Sequence, residues 1–288
     1  MKGELVWTTT GDRTRLNGFL VEAAAPKAIG IDAAVILHGL AGNFYSSSLL
    51  TFVARQLTTL GVNVVLANTR GHDFLNHSTQ SGRSVLAGAA VENVDDCRFD
   101  VTGWVQFLAA SGHQRVMLAG HSLGAIKSLY SQAHARHENV AGILGLSSTR
   151  LNYHQFATCS AREKFLSSFA LAEEMIRANR SDELFRFEFP FPTWMGARSF
   201  VDKYGMENRF DWTNFIDMIP EPILLTFGQR ELEEHPAFEG VEDIAAEIAE
   251  RQPNVSMKKI VNADHFYVAC FDQLWSDIEL WLRHSFRV

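Results

Sequence analysis

One serine in this chain is framed for chemistry. Gly120-His121-Ser122-Leu123-Gly124 lies between the apolar run Val116-Met117-Leu118-Ala119 and a helix-like stretch from Ala125 to about His134. Glycine on both sides lets the backbone turn so sharply that side chains at those positions would collide with the neighbouring main chain. Such a turn lifts the Ser122 hydroxyl above the carboxyl edge of a sheet and aims the first helix amides at whatever binds there. A serine hydroxyl becomes a strong nucleophile only beside a base, and the base works best when a carboxylate orients it. Groups of both kinds stand in loops after later apolar runs. Glu231, with Glu233 and Glu234 nearby, follows Gly228, and Asp264-His265 follows the run Val255 to Val261.

The elements that must position these groups alternate regularly. Leu5 to Thr9 and Leu16 to Val21 are β-favouring runs joined through Gly11-Asp12, the pattern of an edge hairpin. Ala33-Ala34-Val35-Ile36-Leu37 is a continuous apolar run, as expected of a strand buried on both faces; a helix from about Ser46 to Leu60 leads from it to the next buried strand, Val62 to Ala67. A polar loop from Asn68 to about Gly88 and a helix from about Val91 to Ala110 lead to the strand before Ser122. Val140 to Leu146 and Pro222 to Phe227 continue the series, a helix from about Val241 to Arg251 precedes the last strand, and a helix from about Asp272 to His284 closes the chain. Strand and helix in alternation imply a parallel sheet covered on both sides.

The alternation breaks from residue 147 to 220, a stretch far longer than the roughly 4–6 residues of a typical connection. Helical periodicity from Ala161 to Asn179 marks it as an inserted lid, leaving 1–146 and 221–288 as the core. Phe185, Phe187, Phe189 and Phe191 alternate with polar residues or proline, and Trp194, Phe200, Tyr204, Phe210, Trp212 and Phe215 follow. Rings of this kind either fasten a lid to its core or line an apolar pocket, and Phe187, Phe189 and Trp194 are the candidates for substrate contact.

Composition narrows the function classes. The 288 residues carry a net charge of −7 and show no Lys/Arg cluster of the kind that binds phosphate backbones, so nucleic acid is not expected as a partner. Cys97, Cys159 and Cys270 are scattered without CxxC spacing, which suggests free thiols and no zinc site. The segment Met1 to Thr10 has no apolar core of a signal peptide, and no uncharged run reaches bilayer length, so a cytoplasmic protein with no membrane contact is expected. His72-Asp73 and His77 share one loop and read as hydrogen-bonding residues, with no metal expected. Lys127, one turn beyond the serine, reads as a snorkelling or paired lysine.

With these residues in place the chain resembles the α/β-hydrolase superfamily over nearly its whole length apart from the insertion. The stretches Thr69-Arg70-Gly71-His72-Asp73 and Gly120 to Tyr130 point, less specifically, to the siderophore-esterase-like group. The resemblance implies an α/β fold with a mostly parallel eight-stranded sheet. It also implies the order nucleophile, acid, histidine, each after a different strand, an order that Ser122, Glu231 and His265 satisfy. Glu231 occupies the place where many relatives carry Asp, Glu233 and Glu234 remain rivals, and the alternative acid position after the preceding strand holds Ser147-Ser148 without a carboxylate. Backbone N–H groups of Leu40, after His38-Gly39, and of Leu123 are implied as the oxyanion hole. The implied activity is cofactor-free cleavage of a small-molecule ester with an apolar portion. A thioesterase, lactonase or carbon–carbon hydrolase would use the same triad. From another class, a ligand receptor would keep the fold and pocket without turnover.

Overall fold

The computed structural model of the protein describes residues 2–287; Met1, the first residue of the segment examined for a signal peptide, lies outside them. The strands are β1 (Glu4–Thr9), β2 (Arg15–Val21), β3 (Ala33–Leu37), β4 (Asn63–Ala67), β5 (Asn76–Gln80), β6 (Arg83–Ala87), β7 (Val116–His121), β8 (Val140–Leu146), β9 (Leu184–Phe187), β10 (Thr193–Gly196), β11 (Ile223–Gly228) and β12 (Val255–Ile260). The α-helices are α1 (Ser48–Thr59), α2 (Cys97–Ala110), α3 (Leu123–Ala135), α4 (Tyr153–Phe156), α5 (Arg162–Arg177), α6 (Ala197–Tyr204), α7 (Gln229–Glu234), α8 (Val241–Arg251) and α9 (Phe271–Ser285).

Eight strands form one sheet in the order β1-β2-β4-β3-β7-β8-β11-β12. Both pairings of β2, with β1 and with β4, are antiparallel, and every other pairing in this sheet is parallel. Its central strands are apolar throughout because both faces are covered. In β3, Val35 and Leu37 join the core cluster packed by α2, α3 and α8, while Ala34 and Ile36 join the cluster packed by α1 and α9. Alternate side chains of one strand therefore supply two cores. The polar stretch expected as a loop contains the short hairpin β5–β6, whose residues are half-buried or exposed.

The 147–220 segment folds as α4, α5, the hairpin β9–β10, α6 and two short 3₁₀ turns. It has no core of its own, because Phe156, Phe165, Phe187, Phe189 and Phe200 belong to the cluster that also holds Val35 and Leu37. The expected helix from Ala161 to Asn179 is present as α5.

Candidate active site

The strand-to-helix turn dictates the position of Ser122, whose φ of 55° and ψ of −122° are unusual for a residue with a side chain. Neighbouring backbone enforces the turn. A Cβ on Gly120 would lie 2.2 Å from the carbonyl of Gly124, and one on Gly124 would lie 2.5 Å from the carbonyl oxygen of His38. The Ser122 N–H donates to the Leu146 carbonyl (2.8 Å), so the end of β8 anchors the turn.

Glu231 arrives from another strand by equally tight packing. Gly228 ends β11 where a Cβ would sit 2.6 Å from the carbonyl oxygens of Ala263 and Asp264, so the two loops touch directly. The Arg230 N–H donates to the Ala263 carbonyl at 2.9 Å. In consequence His265 Nδ1 lies 2.6 Å from Oε2 of the buried Glu231. The other oxygen, Oε1, accepts from the Gly228 N–H and from the Ser147 hydroxyl, both at 2.7 Å. Tyr267 places its hydroxyl 3.0 Å from Ser147 Oγ and donates to the Thr226 carbonyl at 2.9 Å. Glu233 and Glu234 are exposed and bond to Gln229 and Arg230 on their own helix, away from the histidine. Burial pushes the Glu231 carboxyl up to about 8, against the pull of its Ser147 and Gly228 donors. Burial also holds His265 down to about 4, with the charge of Asp264 opposing. His121 is buried beside it, ring centroids 4.6 Å apart, and its Nε2 lies 2.8 Å from the His265 carbonyl oxygen, which fixes the loop that carries His265.

Ser122 and His265 line one cavity of about 690 Å³, although among the described residues no hydrogen bond joins the serine hydroxyl to the imidazole. Leu40 and Leu123 line the same cavity. The orientation of the Leu40 amide follows from His38. The Thr69 N–H donates to His38 Nε2 (3.2 Å), and a peptide N–H is only ever a donor, so the ring proton sits on Nδ1 and is given to the Gly39 carbonyl at 2.8 Å. The Gly42 N–H donates to that carbonyl as well, at 3.1 Å. With the Gly39 carbonyl pinned on one side, the Leu40 N–H of the trans peptide points to the other. Burial, reinforced by the charge of Lys127, pushes His38 down to about 3 and keeps this tautomer neutral.

Lys127 is fully buried and paired with Glu92, also buried. It donates to Thr69 Oγ1 at 3.1 Å, and Lys203 of α6 approaches the second Glu92 oxygen at 3.8 Å. The buried Lys127–Glu92–Lys203 cluster thus links the helix after Ser122, the strand end beside His38 and the 147–220 segment. Against the cost of desolvation, Lys127 and Lys203 hold Glu92 below the ordinary carboxylate range.

The aromatic assignments need correction. Phe187 and Phe189 are 0% and 1% exposed and do not reach the cavity; Phe187 stacks on Phe200 with centroids 4.3 Å apart, and Phe189 packs on Phe156 and Phe165. Trp194 is 57% exposed. The hairpin register gives the reason: Trp194 pairs with Arg186 and faces solvent, whereas Thr193 pairs with Phe187 and faces the core. The inward alternation persists past the strand end as far as Phe189 and breaks at Phe191, which is 45% exposed. The segment lines the cavity instead through Leu151, Phe156, Pro190, Phe191 and Tyr204.

The loop histidines part company. His72 bonds to Asp73, while His77 bonds to Ser84 on the exposed hairpin, and no group of three or more possible metal ligands occurs among the described residues. No helix among the described residues is long and apolar enough to cross a membrane. Some residues around the site were not singled out by the sequence: His121 and Ser147 hydrogen-bond to the His265 carbonyl and to Glu231, Tyr267 contacts Ser147, and His235 joins the cavity wall. His235 lies in no recognisable motif, and Ser147 was visible only as a strand-end residue where no carboxylate stands.

A serine on a glycine-bounded turn, with a glutamate and a histidine in contact at the ends of two other strands of a largely parallel sheet, is the arrangement characteristic of one class of hydrolytic enzymes. The chain belongs to the alpha/beta hydrolase family, whose model matches residues 34–273. Among solved structures, the alpha/beta hydrolase GrgF from Penicillium sp. sh18 is similar with a TM-score of 0.71 and 13% identity over 99% of each chain. Est1E from Butyrivibrio proteoclasticus, a structure holding ferulic acid, gives 0.66 and 15%, covering 96% of this chain and 98% of that one. The Pyrococcus furiosus esterase Pf2001 gives 0.63 and 18%, covering 99% and 91%. No curated protein matches the chain by sequence.

Proposed function

We propose that this enzyme is a serine hydrolase that cleaves a carboxylic ester through an acyl-enzyme on Ser122. The reading rests on the 2.6 Å contact between His265 Nδ1 and the buried Glu231, made by a histidine that shares its cavity with Ser122. With the carboxylate accepting from Nδ1–H, Nε2 keeps its lone pair and takes the serine proton as Oγ attacks the ester carbonyl. The Leu40 and Leu123 amides receive the developing oxyanion, each such donor being worth about 3–4 kcal/mol in the transition state. His265 then returns the proton to the leaving alcohol, and water repeats the sequence on the acyl-enzyme. Nothing in this scheme calls for a cofactor. Thioesters, lactones and carbon–carbon bonds beside a carbonyl are open to the same groups; one structural neighbour named as an esterase, and another holding ferulic acid, favour an ester. The largely apolar wall suits an apolar portion of substrate, with the 147–220 segment as its lid.

The test is labelling with a fluorophosphonate. The expected result is a covalent adduct on Ser122, absent in Ser122→Ala, together with a loss of ester turnover on the order of 10⁴–10⁶. A Ser122→Ala enzyme within tenfold of the native rate would refute the mechanism.

A further inference from the structure

Next to the base stands a second histidine that the scheme above leaves unused. His235 follows α7, the helix that carries Glu231, and its N–H donates to the Glu231 carbonyl at 3.1 Å. Its ring lines the cavity shared by Ser122 and His265. The ring lies nearly parallel to that of His265, at 22° with centroids 6.3 Å apart, and both rings rest against Phe238 at 5.6 and 5.5 Å.

The proton on this ring can be placed. The Ala237 N–H donates to Nδ1 at 3.2 Å, and because a peptide N–H cannot accept, Nδ1 is bare and the proton of the neutral ring is on Nε2. Nε2 has no hydrogen-bond partner among the described residues. Nor is it among their enclosed, unsatisfied polar atoms, so it is accessible on a side chain that lines the cavity. Burial and the neighbouring His265 lower the affinity of His235 for a second proton, opposed by Glu231, which keeps it a neutral single donor. The wall beside it is apolar, formed by Ala237, Phe238, Phe266 and Val268.

Resting on the serine hydrolase reading, we propose that His235 selects the substrate by donating its Nε2–H to an oxygen in the alcohol portion of the ester. The substrate class is then esters whose alcohol carries an ether, hydroxyl or carbonyl oxygen near the scissile bond. The position argues for the alcohol side. His265 must deliver its proton to the leaving oxygen, so a donor one ring away reaches atoms attached to that oxygen, while the carbonyl oxygen belongs to the amides of Leu40 and Leu123. A substrate without the acceptor leaves the donor facing carbon, and sites built around a hydrogen bond reject such analogues.

The experiment compares two near-isosteric substrates of one acid, the methoxyethyl ester and the butyl ester, in which an ether oxygen replaces a methylene. Each kcat/KM is divided by the rate of hydroxide-catalysed hydrolysis of the same ester, which removes intrinsic leaving-group differences. The native enzyme is expected to favour the methoxyethyl ester roughly tenfold after this correction, the equivalent of one hydrogen bond. In His235→Phe, which keeps a ring and loses the donor, the corrected ratio falls to about one; in His235→Gln, which keeps a donor, a preference remains. Fluorophosphonate labelling reports whether Ser122 is still assembled in each variant. A native enzyme that is labelled and hydrolyses both esters with a corrected ratio near one overturns the proposal even if neither variant folds. So does a labelled His235→Phe that keeps the native ratio, or a preference that follows an ether oxygen in the acyl portion. Absence of both labelling and ester turnover in the native enzyme is the distinct result that would remove the serine hydrolase reading itself.

Discussion

Replacing Glu231 by Gln isolates what the carboxylate does, because the structure fixes how the amide must sit. Oε1 of Glu231 accepts from two donors at 2.7 Å, the Gly228 N–H and the Ser147 hydroxyl, and the first of these cannot reorient. A glutamine that turned its NH₂ toward them would leave a buried backbone donor unpaired at a cost of about 1–3 kcal/mol. It therefore keeps its oxygen there and presents the NH₂ to His265 Nδ1, 2.6 Å away in the native enzyme. A donor facing Nδ1 makes that nitrogen an acceptor and moves the ring proton to Nε2, where it blocks the uptake of the Ser122 proton. The expected loss is on the order of 10³–10⁴ in kcat/KM, or about 4–5 kcal/mol of transition-state stabilisation, with little change in fold. The assay is kcat/KM on a chromogenic ester beside the fluorophosphonate labelling rate, both of which should fall together since both need the activated serine. Glu233→Gln and Glu234→Gln, at exposed positions that bond only along α7, should stay within about twofold. A Glu231→Gln enzyme within tenfold of native, or a larger loss at either neighbour, would refute the assignment.

Two further outcomes follow from the same geometry. The active form of the Glu231–His265 pair has the carboxylate ionised and Nε2 free, so a second proton on either group abolishes the base; with Glu231 pushed up to about 8 and His265 down to about 4, kcat/KM should rise with pH along a limb between those values, and a profile that falls from pH 5 to 8 would contradict it. Phe187→Ala should cost about 3–5 kcal/mol in denaturant unfolding and leave acyl-chain preference unchanged, whereas Phe191→Ala, at a 45% exposed cavity-lining position, should leave stability nearly untouched and flatten that preference; the reverse pattern would return Phe187 to the substrate wall.

The sequence alone determined the parts of this protein that depend on local rules. Gly120 and Gly124 announce the turn at Ser122 because no other residue fits against backbone 2.2 and 2.5 Å from where a Cβ would be, and that constraint is written into five consecutive letters. Continuous apolar runs such as Ala33–Leu37 announce buried parallel strands because both faces need covering. The order Ser122, Glu231, His265 came from the resemblance that the glycine-bounded motif carries, with each residue on a loop after an apolar run. Tertiary structure alone decided which rings meet the cavity. Phe187 and Trp194 are equally aromatic, and only the pairing of β9 with β10 sends one inward and the other to solvent. Structure also decided which of three neighbouring glutamates meets His265, through the contact of Gly228 with the Ala263–Asp264 backbone. It alone brings Ser147, His121 and His38, from three separate strand ends, into hydrogen-bond contact with Glu231, the His265 carbonyl and the Gly39 carbonyl. Bonds between residues as far apart as Ser147 and Glu231 leave no periodic trace in a chain, because their geometry exists only once the sheet has brought its strand ends together.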